Sequence, residues 1–291
     1  MASLSHLHPE DRLWSMLLLL VAIASGLILV LVTGFLLWET APFFQSVGIA
    51  RLVRDPNWAP TLAEYNVIPM VLGSLLVTLG ALLLSVPLGL GSAIFCQFYA
   101  PQAIAVLYRR MLELLAGIPS VVYGFWGLVV LVPLIAALQA PGPSLLAGSI
   151  ILALMVLPTI ALIAENSLIQ LPPSYWKSSR AMGLGRWSTI VRVSLPAART
   201  GIMTAIILAF GRAMGETMAV VMVCGNAVQV PNSVFDPVRT LTANIALEMA
   251  YAVDFHRSAL FVSGLILVVI VALSIGILSH RTRLNLPRTV L

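Results

Sequence analysis

Arg212 and Glu216 stand four residues apart inside an otherwise apolar run at 201–224. An arginine at the middle of a bilayer costs about 2.5–3.5 kcal/mol on the insertion scale, so a charge kept there calls for a partner or a task. Residues four apart share one face of a helix. Two readings are open. Either the two charges neutralise one another as a buried ion pair, or their face lines a path on which Arg212 offers its planar guanidinium fork to an oxyanion.

Two further segments carry polar chemistry in unusual places. In Gly117-Ile118-Pro119-Ser120, Pro119 removes a backbone donor and disrupts the helical ladder. This is a packing kink, with Gly117, Gly124 and Gly127 allowing close helix approach, or a polar break in which Ser120 faces a pathway. The loop at 164–200 is the other. Pro172 and Pro173 stop what precedes them, Ser174 is placed to cap a short helix through Met182, and Gly183-Leu184-Gly185 ends it. A second short helix is expected from Arg186 toward Val193, stopped at Leu195-Pro196. Tyr175, Trp176, Met182 and Trp187 supply apolar surface, while Lys177, Arg180, Arg186 and Arg192 supply charge. Such a pair of amphipathic helices rests on a membrane surface or docks a protein.

The elements that position these groups follow from composition. Of 291 residues, 60% are apolar and 9% charged, against about 25% charged in a soluble domain. Six apolar stretches, at 13–38, 68–95, 111–138, 144–163, 201–224 and 259–279, each meet the ~20 residues needed to cross the hydrocarbon as a helix, the form that satisfies its own backbone there. The expected fold is therefore an all-α membrane protein of about six spans. The first apolar stretch exceeds the 7–15 residues of a secretory leader and reads as a span that stays.

Basic residues then set the orientation. One side holds Arg12, Arg109, Arg110, Lys177, Arg180, Arg186, Arg192, Arg199, Arg281, Arg283 and Arg288; the other holds Arg51, Arg54, Arg239 and Arg257. The positive-inside rule places both termini, with tails at 1–12 and 281–291, in the cytoplasm. The net charge of +5 thus reports topology and argues against nucleic-acid binding. Outside lie a loop at 39–67, whose Asp55, Pro56, Asn57, Trp58 and Pro60 read as turn chemistry, a tight turn at 139–143, and a loop at 226–257 with an interfacial helix expected over 238–253. Cys96 and Cys224 sit in apolar runs and read as small core residues. There is no G-x-x-x-x-G-K-[ST] phosphate loop and no H-E-x-x-H. His6, His8, His256 and His280 fall in tails or the outer loop, so no metal or cofactor is expected on this chain.

The 164–200 loop resembles the motif of bacterial ABC-importer permeases, which runs Glu-Ala-Ala, three residues, Gly, nine residues, then Ile-x-Leu-Pro. Here Gly183 is followed after nine residues by Val193-Ser194-Leu195-Pro196, while Lys177-Ser178-Ser179 replaces Glu-Ala-Ala. Leu115-Ala116-Gly117-Ile118-Pro119-Ser120 through Gly127, Gly211-Arg212-Ala213-Met214-Gly215-Glu216-Thr217 with Gly225-Asn226, and Val86-Pro87-Leu88-Gly89-Leu90-Gly91 are similar to segments of the PstC family of phosphate permeases.

The resemblance implies a type I importer permease at 68–280 in a bacterial inner membrane. A sister permease (PstA-like), two copies of a cytoplasmic ATPase (PstB-like) that carry ATP and Mg, and an extracytoplasmic phosphate-binding protein (PstS-like) would complete it. It implies a substrate path through Arg212, Glu216, Ser120 and Thr217, and ATPase docking by the loop from Ser174 to Pro196. A carboxylate at Glu216 only accepts hydrogen bonds, so it suits phosphate, which keeps O–H donors near neutral pH, and disfavours sulfate. A permease for another oxyanion (sulfate or molybdate) is the nearest alternative. A proton-coupled carrier using Glu216 and Glu113 is a more distant one, and an intramembrane enzyme lacks convergent catalytic groups.

Overall fold

The computed structural model describes the backbone of residues 9–284 and the side chains of 14–277; Arg12, His6, His8, His280 and the arginines beyond 280 lie outside the described side chains. Among the described residues, five helices are long and apolar enough to cross a membrane: Trp14–Ser46, Ile68–Tyr99, Ser120–Leu138, Leu145–Ile169 and Asp254–Ile277. Arg186–Ala197 and Arg199–Met214, bent by 70° at their junction, pass the same test only as a pair and bring the number to six; in chain order the fifth span is the part of this stretch from Arg199 onward, and Asp254–Ile277 is the sixth.

Hydrocarbon removes the hydrophobic drive between helices, and close backbone approach replaces it. The sequence provides this with small residues. Gly80 of the second span sits against Ser149 of the fourth, Gly89 against Ile160, and Gly148 against Cys224. The fourth span is the central pillar, the most buried of the five. Around it Val77, Ile151, Leu152, Met155, Val156, Ala209, Ala213 and Val220 form the main core. The first span stands apart: its window has no buried residue, and it touches the sixth span through the edge-to-face pair Phe35–Phe261. Both cysteines are buried and free.

Several boundaries differ from the expectation. The third span begins at Ser120 rather than 111, because Ile118 and Pro119 are extended and end the preceding helix, Gln102–Gly117. That helix is amphipathic, with Arg109, Arg110 and Glu113 among its apolar residues, and reads as an elbow beside the bundle. The fourth span continues to Ile169, six residues past the expected 163. Its extra turn carries Glu165, which a continuous apolar run does not predict. The fifth span is broken: Arg199–Met214 stops, Gly215-Glu216-Thr217 is non-helical, and Met218–Val223 resumes.

At one end, the hairpin end, Trp58–Ala59 pairs antiparallel with Glu64–Tyr65. Trp58 and Tyr65 point into a second core with Phe43, Met70, Leu241 and Leu260, so Trp58 is a core residue rather than turn chemistry. The expected helix over 238–253 is shorter, Leu241–Glu248, capped by the Thr240 hydroxyl, which accepts from Ala243 N. Leu241, Thr242, Ala243, Asn244 and Glu248 are buried against the rest of the chain, while Ala246 and Leu247 are exposed. At the opposite, loop end, the first short helix runs Pro173–Ala181 with Pro172 as its cap residue and no side-chain cap, so Ser174 does not cap it. Gly183, at φ +74°, makes the expected stop, a backbone angle that glycine adopts without strain. Arg186–Thr189 continues as a π-helical turn, Ile190–Ser194, into Leu195–Ala197. Pro196 therefore begins a turn instead of ending a helix, and the bend falls at Ala198.

Candidate functional site: the broken fifth span

The break puts Arg212 and Glu216 in different surroundings. Arg212 lies in the last turn of Arg199–Met214 and is exposed on the isolated chain. Glu216 lies beyond the helix end and is half-buried. Glu216 Oε1 accepts from Ala219 N at 3.2 Å, capping the resumed helix. Its backbone carbonyl accepts from the Thr242 hydroxyl at 2.8 Å. No ion pair joins Arg212 to Glu216 or to any other carboxylate among the described residues. The self-neutralising pair is absent from this structure because the helix that would align the two charges ends between them.

Arg212 shares an open face with Leu208, Gly211 and Gly215. A Cβ added at Gly211 would meet nothing within 4 Å, and one at Gly215 would meet only the Gly211 carbonyl, at 3.5 Å. These glycines make no close contact within the chain. The third span flanks the other side, where Gly124 lies against Ala219 and Gly127 against Val223. Those two glycines serve close packing as expected, while Gly117 has open space. On the third span the Tyr123 hydroxyl donates to the Leu115 carbonyl at 2.9 Å. Ser120 starts the third span, half-buried, in the same region and without a hydrogen bond to either charged residue. Thr217 is half-buried at the break, its hydroxyl 3.3 Å from the Gly215 carbonyl.

At the loop end, the residues expected to dock a partner are mostly on the surface. Met182 is 71% exposed and Trp187 61%; Ser174, Tyr175, Lys177, Arg180, Gly183, Gly185 and Pro196 are exposed, and Leu184 and Leu195 are partly covered. Trp176 is the exception: it stacks on Phe98 at 5.3 Å and 18°. Arg180 lies 5.6 Å over the Trp176 ring, and Arg186 4.9 Å over Tyr99. A cavity of about 360 Å³ opens between this loop and the end of the second span.

Two charged clusters escaped the sequence reading. Arg109 pairs with buried Glu165 at 2.6 Å, fastening the elbow helix to the fourth span. At the hairpin end, Glu248 Oε1 accepts from Arg239 at 2.7 Å, while its Oε2 takes Trp58 Nε1 at 2.9 Å and His256 Nε2 at 2.8 Å. Arg239 also donates to Asn244 Oδ1 and to the Asn226 carbonyl. Local sequence offers no signal for partners 56 or 190 residues apart.

Comparison with known proteins agrees with this architecture. Residues 85–283 match the family described as the inner membrane component of binding-protein-dependent transport systems. The chain is 36% identical over 279 residues to the phosphate transport system permease protein PstC of Mesorhizobium japonicum, covering 87% of this chain and 85% of that one. It is 43% identical over 231 residues to the probable ABC transporter permease protein YqgH of Bacillus subtilis, covering 77% and 75%. Among solved structures, a bacterial alginate ABC transporter bound to its alginate-loaded periplasmic protein matches with TM-score 0.64 at 14% identity, over 94% of this chain and 95% of that one. The inward-facing MetNI methionine ABC transporter matches with TM-score 0.59 at 18% identity, over 83% and 99%. These two are likenesses of fold, the ABC-importer permease fold. By the length and identity of these matches, the chain belongs to the family of inner membrane components of binding-protein-dependent transport systems.

Proposed function

We propose that this chain is one permease subunit of an ATP-driven importer of inorganic phosphate, moving the anion by alternating access at an interface with a sister permease. The observation that carries the reading is Arg212, an arginine without a carboxylate partner on the open face of a broken span. Facing lipid, such a group pays the full insertion cost. A water-filled path or a second permease lifts that cost, and an anion in transit supplies the missing charge. The PstC relatives support phosphate as that anion. Glu216 fits the same reading, because one carboxylate oxygen caps Ala219 N and the other is left to accept from a P–OH group. In this reading Thr217 and Ser120 would supply hydroxyl partners.

The remaining parts follow from charge. The loop end carries Arg109, Arg110, Lys177, Arg180, Arg186, Arg192 and Arg199, which supports a cytoplasmic position for it and for both termini. There Met182, Trp187 and Tyr175 present apolar surface among these cations, the composition of a docking face for a pair of ATPase subunits. ATP and Mg would be held on those partners, with no covalent chemistry on this chain. The hairpin end would meet an extracytoplasmic phosphate-binding protein.

Uptake of radiolabelled phosphate in phosphate-starved cells lacking the gene, re-supplied with it, tests the assignment. Restored uptake that resists excess sulfate and stops on ATP depletion is expected. Sulfate-sensitive uptake would point to another oxyanion, and uptake surviving ATP depletion to a proton-coupled carrier.

A further inference from the structure

The loop end and the broken span are joined by two routes. One is covalent: the docking loop runs into the fifth span through the 70° bend at Ala198. Ala198, at ψ +1°, separates Leu195–Ala197 from Arg199–Met214 at that joint, and the π-helical turn Ile190–Ser194 lies just before it. The other route leaves the loop sideways. Both ring contacts of the loop land on one five-residue π-helical turn, Phe95–Tyr99, that closes the second span: Trp176 stacks on Phe98 and Arg186 covers Tyr99.

From that turn the second span runs 27 residues without a break, about 40 Å at helical rise. Pro87 removes one ladder bond, yet Gly80 and Gly89 hold the helix flush on the fourth span on either side of it. At its far end the span reaches the broken region twice. Thr78 Oγ1 lies 3.5 Å from the sulfur of Met214, the last residue before the break. Ser74 Oγ accepts from Leu241 N at 2.8 Å, and the next residue, Thr242, donates to the Glu216 carbonyl.

We propose that the second span is the coupling rod of this permease: Phe98 and Tyr99 receive movement of the docking loop, and Ser74 and Thr78 deliver it to the 215–217 break that carries Glu216. The proposal rests on the docking reading above. Phe98, Tyr99, Ser74 and Thr78 are positioning residues; none is assigned to the anion. A packed helix shifts as a unit between discrete seats rather than deforming continuously, so displacement of the turn at one end moves the hydroxyl contacts at the other.

The test uses the complete importer in proteoliposomes, with binding protein and radiolabelled phosphate, and reads ATP hydrolysed per phosphate imported. Phe98→Ala and Ser74→Ala are each expected to raise that ratio by about two- to thirtyfold, with the ATPase subunits still bound; Phe98→Tyr keeps the stack and the wild-type ratio. A wild-type ratio in both alanine variants, or a proportional fall of hydrolysis and uptake, would overturn the rod. Ser74 lies at the end remote from the dock, so its effect cannot arise from lost assembly. Co-purification of the ATPase with a Met182→Ala, Trp187→Ala variant checks the docking reading separately: retention at the wild-type level overturns that reading, whatever the ratio does.

Discussion

Arg239 and Arg212 are both arginines in a chain with few charges, and the structure treats them in opposite ways. Arg239 is closed in at the hairpin end, with Glu248, Asn244 and the Asn226 carbonyl as acceptors. Glu248 in turn has both oxygens filled by Arg239, Trp58 and His256. Arg212, on the open face of the fifth span, has no carboxylate partner among the described residues. The first arrangement satisfies every charge internally and fixes a helix, Leu241–Glu248, against the hairpin. The second leaves a charge to be satisfied by something that is not part of the chain. Closed clusters hold the fold; under the proposed function, the open one is where the anion would enter.

This contrast is broken most forcefully at Glu248. Removing it leaves the Arg239 guanidinium without its counter-charge and the Trp58 indole N–H without its acceptor, and losing one partner of a buried ion pair costs about 3–5 kcal/mol. Glu248→Ala should therefore lower the thermal unfolding midpoint of the detergent-purified protein more than any single change on the open face of the fifth span. The glycines sharpen the same contrast. At Gly124 an added Cβ meets Ala219 Cα at 2.7 Å, and overpacking of this kind costs about 1–3 kcal/mol, so Gly124→Ala should destabilise visibly in the same assay. At Gly211, on the open face, the added methyl meets nothing. Gly211→Ala should gain about 0.5–1 kcal/mol from helix propensity, and a loss of stability would mean that this face is covered within the chain. The smallest effect on stability is expected at Arg212 itself. Arg212→Gln should shift the unfolding free energy by no more than about 0.5 kcal/mol, as for surface groups without partners.

Hydropathy alone located the spans, because every segment long enough to cross hydrocarbon has to be helical there. The stops were less legible. Gly183 marked a true helix end because its left-handed backbone is a local property, whereas Ser174, equally suited by type, was bypassed in favour of Pro172. The start of the third span was misplaced because 111–117 is apolar enough to extend it, although Arg109, Arg110 and Glu113 already gave that stretch an amphipathic pattern. The break at 215–217 could have been suspected from Gly215 beside a charged and a β-branched residue. Spacing of four instead suggested one helical face, and the interruption removed it. Arg212 was identified by the plain cost of a charge in an apolar run. Its partners, and those of Glu165 and Glu248, depend on contacts between distant segments, which no local pattern encodes.

The most direct test of the central claim compares Arg212→Gln and Arg212→Lys with the unaltered chain in phosphate uptake, with membrane levels equalised. If Arg212 meets the anion, the glutamine variant should lose at least about tenfold in uptake, the scale of a charge-assisted hydrogen bond, while its thermal stability stays unchanged; lysine, a point charge without the fork, should restore part of the rate. Full uptake by Arg212→Gln would contradict the account and reduce Arg212 to a structural charge.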